Sequence, residues 1–228
     1  MWKQKIYCGL RRHPLCTALG YFVLYCIAFR LLELWQRPVW IVHCRLDDLV
    51  PFVRWAVVPY VLWFGWVPAL FLIFLRRAPQ AYWRALYGVA GGTAFTLALY
   101  VILPTGLQLR RPVYGTDVCS MLLRLIYQSD TPTNVCPSLH VFVTVLLLLI
   151  LLSHPGIVTT ATRIANIWIA AAICASTVLI DQHSLIDVAC GLLLALYVYR
   201  RLYRRAEEGS RLRTRESLAA LFGGQNLR

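Results

Sequence analysis

The stretch STVLIDQHSLID, Ser176 to Asp187, sets a histidine and a carboxylate four residues apart within a long apolar region. Read as a membrane-embedded helix, the spacing predicts His183 and Asp187 on one face, one turn apart. An ionisable side chain in such a place costs several kcal/mol, roughly, unless it is partnered, and so marks a functional site by default. Asp187 would hold the His183 imidazole in one tautomer and leave the other ring nitrogen electron-rich, as a nucleophile requires. Upstream, CPSLH at 136–140 carries a second histidine, His140, at the start of another apolar run, and Arg110 and Arg111 precede it. Two histidines, a carboxylate and these arginines make a phosphate-transfer constellation. The plainer alternative for His183 and Asp187 is a structural pair that locks two spans together.

Composition sets the class. The 228 residues are 59% hydrophobic and 14% charged, against roughly 25% charged in a soluble domain. The apolar residues fall in blocks close to the ~20 needed to cross a bilayer. The expected fold is therefore all-α: a polytopic membrane protein with a six-transmembrane-helix bundle and no separate soluble domain. A net charge of +13 would suit nucleic acid, but the basic residues cluster at span ends, so topology and anionic headgroups account for them better. No nucleic-acid partner is expected. The eight cysteines include no CxxC pair, so neither a zinc site nor a redox motif is implied. Cys119 and Cys136 share one outer loop, and a disulfide between them is one open possibility.

In chain order, residues 1–14 form a short basic segment. Residues 15–199 form the membrane domain, with spans over 15–35, 57–75, 87–103, 139–152, 164–180 and 184–199. Arg30 and Glu33 are expected to snorkel or to pair with each other. A short turn containing Pro79 joins the second and third spans, and GVAGGTA in the third permits close helix contact. The outer loop 104–137 is the longest polar stretch; it is long enough to be functional and is expected to hold a short amphipathic helix near 120–127. A basic tail, 200–228, follows, suited to anionic lipid headgroups. With the amino terminus inside, sixteen of the 23 lysines and arginines lie on the cytoplasmic side. The positive-inside rule then puts both termini in the cytoplasm and brings His140, His183 and Arg111 to the extracytoplasmic face.

LRRP at 109–112, PSLH at 137–140 and ST-x5-HSLID at 176–187 together resemble the three motifs of the type 2 phosphatidic acid phosphatase superfamily, whose pattern is K-x6-R-P, P-S-G-H and S-R-x5-H-x3-D. The PSLH form and HSLIDVACG look most like its inositolphosphotransferase branch, the inositol phosphorylceramide synthase type. The resemblance covers about residues 103–194. It implies a metal-independent lipid phosphatase or phosphotransferase with no cofactor, acting on a membrane lipid. In that scheme His183 attacks phosphorus to form a phosphohistidine, oriented by Asp187. His140 protonates the leaving alkoxide and then activates water or an acceptor alcohol. Arg111 binds the phosphate, Ser138 adds a donor beside it, and Arg110 or Arg124 supplies a further cation. The chain departs from the pattern at Pro104 (lysine in the family), Thr177 (arginine) and Leu139 (glycine). With two phosphate-binding cations absent, the pattern fits phosphodiester or polar-head transfer, or reduced activity. Asp181, two residues before His183, could repel phosphate, or could bind an acceptor hydroxyl or Arg111.

Two other function classes fit the same residues. A lipid-binding or transport protein could keep the bundle without the chemistry. His140 and His183 could instead be axial ligands of a haem, although the carboxylate after His183 and the PSLH context argue against it. Ser138 after Pro137 also reads as a helix N-cap.

Overall fold

The structure is a computed structural model that describes residues 11–35 and 37–203. The expectations for the basic segment before residue 11 and for the tail beyond residue 203 lie outside the described residues. Among the described residues the helices that build the bundle are, in order, α1 (Pro14–Trp35), α2 (Val57–Arg77), α3 (Pro79–Ile102), α4 (Val118–Ser129), α5 (Leu139–Leu152), α6 (Thr160–Leu179) and α7, which runs from 185 to the last described residue, 203. Among the described residues, four helices are long and apolar enough to cross a membrane: Pro14–Trp35, Arg54–Arg77, Pro79–Ile102 and Thr160–Leu179. At 14 residues, α5 rises only about 21 Å, short of a hydrocarbon core of roughly 30 Å.

Most boundaries follow from local chemistry. Ser138 caps α5, Thr159 caps α6 and Asp117 caps α4, each accepting a backbone N–H of the first turn. The third long helix begins eight residues earlier than hydrophobicity indicates. The expected turn around Pro79 shrinks to Ala78 alone, and Pro79 opens α3. Proline has no N–H to donate, and the first helical position needs none, so here it starts a helix.

The core is centred on α5, which is apolar on nearly every face and buried on most of them, with Phe142, Leu146, Leu147, Ile150 and Leu151 inaccessible. It packs between α3 and α6 and also touches α2. Gly92 of α3 lies against the Phe142 ring, and Gly88 faces Leu146 of α5 with Val198 and Leu202 of α7. This is the close contact expected of GVAGGTA. Between α2 and α6, the Trp66 indole donates to Asn166 Oδ1 at 2.8 Å. No residue of α1 is buried; it rests on α3 through Tyr21 and Thr93 and through the Phe29 and Tyr100 rings.

At one end of the bundle three loops are tied into a single cap. A short parallel pairing joins Trp40–Ile41 (β1) to Thr105–Gly106 (β2). Gly106 also bridges to Thr133, and Thr105 accepts the Asn134 N–H at 2.6 Å. The Tyr100 hydroxyl donates to the Pro137 carbonyl at 2.7 Å. The loops before α2, α4 and α5 therefore converge on the start of α5, where His140 stands. Arg30 and Glu33 pair at 3.0 Å, and Glu33 also accepts the Thr131 N–H and hydroxyl from this cap.

Candidate functional site

The His183–Asp187 pair forms, but by a different route from the one the spacing suggests. Helix α7 begins at residue 185, so His183 lies in the turn before it, and only Asp187 is helical. Ser184 is the N-cap: its hydroxyl accepts the Ile186 N–H at 3.1 Å, while Asp187 Oδ2 accepts the Ser184 N–H at 2.9 Å. This reciprocal arrangement is a capping box. The same Oδ2 lies 3.3 Å from His183 Nδ1, with Asp187 fully buried. One carboxylate oxygen thus closes the helix end and holds the imidazole, leaving Nε2 as the nitrogen for chemistry.

The cap is braced from far along the chain. Asp47, buried in the loop after α1, accepts the Ser184 hydroxyl at 2.7 Å, the Leu185 N–H at 2.8 Å and the Cys44 N–H at 2.8 Å. Burial pushes the Asp47 carboxyl up, but these three donors outweigh it and hold it below the usual carboxylate range. The turn itself is fastened by the Thr177 carbonyl, which accepts the N–H groups of Gln182 and His183, both at 3.0 Å. Gly191, one turn after Asp187, lets α7 approach α5: a Cβ there would sit 2.6 Å from the Ser138 carbonyl oxygen. The Ser138 N–H in turn donates to the Asp187 carbonyl at 3.1 Å.

These contacts bring the two sequence-predicted histidines together. The rings of His140 and His183 are 6.3 Å apart, centroid to centroid. His140 is held in place by α2, stacked on Tyr60 at 4.5 Å and packed against Trp63 at 4.4 Å, and its Nε2 is buried without a protein partner. Ser138 serves as the α5 N-cap, its Oγ 3.4 Å from the Val141 N–H, and is fully buried.

The arginines divide. Arg111 is engaged by Asp181: Nε and Nη2 donate to the two carboxylate oxygens, each at 2.8 Å, and the backbone N–H adds a third bond at 3.2 Å. This hydrogen bonding raises the Arg111 pKa above its ordinary value. Arg110 turns inward, stacks over Tyr127 at 4.7 Å, and donates to the Tyr127 carbonyl and the Gln182 side chain. Its Nε is buried without a protein partner. Burial lowers the Arg110 pKa, opposed mainly by the charge of Asp130. Arg124 points elsewhere, donating to the carbonyls of Val113 and Gly115.

Asp130 was not singled out by sequence. It follows the last residue of α4, close enough to His183, Arg110 and the Tyr60 hydroxyl for each to act on its carboxyl, which burial raises. Asp47 was missed as well. Both read as ordinary loop acids, and the only available signal was an acidic side chain next to a helix boundary. Cys119 and Cys136 are free thiols. Burial, then the charge of Asp187, pushes the Cys136 thiol well up. Among the described residues no group of three or more His, Cys, Asp or Glu is placed to hold a metal ion. Comparisons of the chain with family models, with curated proteins and with solved structures return no match.

Proposed function

We propose that this chain is a membrane lipid phosphatase or phosphotransferase, acting on a lipid phosphate or phosphodiester through a phosphohistidine at His183. The observation that carries the reading is the grouping of His183 and Asp187, both buried, with His140. A carboxylate lies 3.3 Å from one imidazole, and a second imidazole lies 6.3 Å from the first, ring to ring. In the proposed reaction His183 Nε2 attacks phosphorus, a P–N bond forms and the ester P–O bond breaks. His140 gives its proton to the departing alkoxide, then takes one from the water or alcohol that attacks the P–N bond. Arg110 is the cation best placed to stabilise charge at phosphorus, since a donor of its guanidinium is buried and unused.

The reading includes a six-span bundle, with α5 and α7 crossing alongside the four longer helices. Both termini are cytoplasmic and the site is extracytoplasmic, as the distribution of basic residues supports. The test is a panel of radiolabelled lipid phosphates incubated with purified protein in mixed micelles, with chelator throughout and with or without myo-inositol or diacylglycerol as acceptor. Turnover and an acid-labile phosphoprotein should appear in the wild type, survive chelation and vanish in His183→Ala. Full dependence on Mg²⁺, or labelling that persists in His183→Ala, rules the mechanism out. A bundle that binds lipid without chemistry gives no turnover in any arm.

A further inference from the structure

Asp181 occupies an unusual position. It sits two residues before His183 in the left-handed backbone region, at φ 54°, where few residues other than glycine settle. The turn around it is fixed by the Asp181 N–H donating to Val178 and by the two N–H groups that bond the Thr177 carbonyl. Its side chain is 3% exposed, whereas that of Arg111 is 45% exposed. The carboxylate is the rigid partner, and the arginine is drawn onto it. Both oxygens are used, in a bidentate pair reinforced by the Arg111 backbone N–H. Arg111 Nη2 also donates to the Val50 carbonyl at 3.1 Å, which fixes the guanidinium on the Asp181 side.

The charges around the histidines follow from this. Arg111 is matched by Asp181, Asp187 faces His183, and Asp130 lies near both Arg110 and His183. Tyr127, from α4, also faces the Asp181 carboxylate. Arg110 keeps one guanidinium nitrogen, Nε, buried without a protein partner. Such surroundings accept one negative charge far more readily than two, because the nearby cations are already engaged by carboxylates and each further charge meets little that is left to offset it. A phosphodiester carries one charge at neutral pH. A phosphomonoester, with a second pKa of about 6, carries nearly two.

We propose that Asp181 is the specificity-determining residue of this site: by occupying the Arg111 guanidinium, it tunes the site to phosphodiester lipids over phosphomonoesters. This rests on the phosphotransfer reading above. For a phosphodiester glycerolipid, the P–O bond to diacylglycerol breaks as His183 Nε2 bonds phosphorus, and His140 protonates the diacylglycerol alkoxide. Water then cleaves the P–N bond, passes a proton to His140 and releases the headgroup phosphate.

The experiment measures diacylglycerol release from dioleoylphosphatidylglycerol and from dioleoylphosphatidic acid in mixed micelles, by the wild type, Asp181→Asn and the double variant Asp181→Asn/Arg111→Gln. The wild type should favour the diester in kcat/KM. Asp181→Asn frees the Arg111 guanidinium and should shift the ratio towards the monoester by about tenfold, and the double variant should reverse that shift. A wild-type measurement guards against a variant that fails to fold. Between pH 5.5 and 8, phosphatidic acid gains its second charge, so its turnover should fall relative to that of phosphatidylglycerol. A ratio unchanged by Asp181→Asn or by pH, or a wild type that favours phosphatidic acid, overturns the assignment of Asp181 and leaves the phosphohistidine reading standing. No diacylglycerol from either lipid overturns the phosphotransfer reading, and this proposal with it.

Discussion

Asp47 accepts the hydroxyl of Ser184 at 2.7 Å across 137 positions of sequence, and through it the loop after α1 holds the turn that carries His183. Replacing Asp47 with alanine removes three accepted hydrogen bonds at once and leaves the Leu185 N–H without its partner. We expect a loss of about 1–3 kcal/mol in stability and a fall in turnover as His183 loses its support, read by thermal unfolding in detergent and by lipid turnover. The pH dependence has a definite sign. The folded carboxyl lies below its ordinary value, so its contribution is complete above the unfolded pKa, near 3.8, and is lost as pH falls through the folded one. The acid limb of the stability profile should therefore be shallower in Asp47→Asn than in the wild type.

Asp187 serves both the helix end and the imidazole, and one substitution separates the two roles. In Asp187→Asn the amide oxygen can still accept the Ser184 N–H, so the cap survives and stability should change by less than about 1 kcal/mol. The charge opposite His183 Nδ1 disappears, and the amide can hold the ring in the wrong tautomer. Phosphoprotein formation should slow by about a hundredfold or more. Equal losses in stability and rate would show that the residue acts only as a cap.

Gly191 is where α7 meets the start of α5. A Cβ there would meet the Ser138 carbonyl at 2.6 Å and the Phe142 nitrogen at 3.3 Å, and backbone atoms yield little. Gly191→Ala should cost about 1–3 kcal/mol and lower turnover by moving His183 away from His140. Gly91→Ala is the control: nothing lies within 4 Å of the added carbon. Stability there should stay level or rise by up to about 1 kcal/mol, since alanine is the better helix former.

Arg110 has its planar group stacked on Tyr127 while it donates to Gln182 and to the Tyr127 carbonyl. Arg110→Gln should lower kcat/KM by about tenfold to a hundredfold on any lipid phosphate. Arg110→Lys should recover little of it, because an ammonium cannot reproduce the flat, multiply bonded group. Steady-state kinetics on both variants checks this.

The sequence by itself determined the helices. Long apolar blocks dictate them, and Ser138 reads as the cap of α5, but that Asp117, Thr159 and Pro79 open α4, α6 and α3 is seen only in the fold, where α6 starts at Thr160 instead of the expected 164. It also singled out His183, Asp187 and His140 as candidates, because ionisable groups among apolar residues need a reason to be there. Only the tertiary structure decided how they meet. A four-residue spacing suggests one helical face, but Ser184 caps the helix behind His183, and the pairing is made by the capping carboxylate. Nothing local to residues 176–187 records that Asp47 and Gly191 hold this turn against α5, or that Asp181 takes up the guanidinium expected to bind phosphate. Those outcomes depend on contacts between segments 50 to more than 130 residues apart, settled only when the loops close over the end of the bundle.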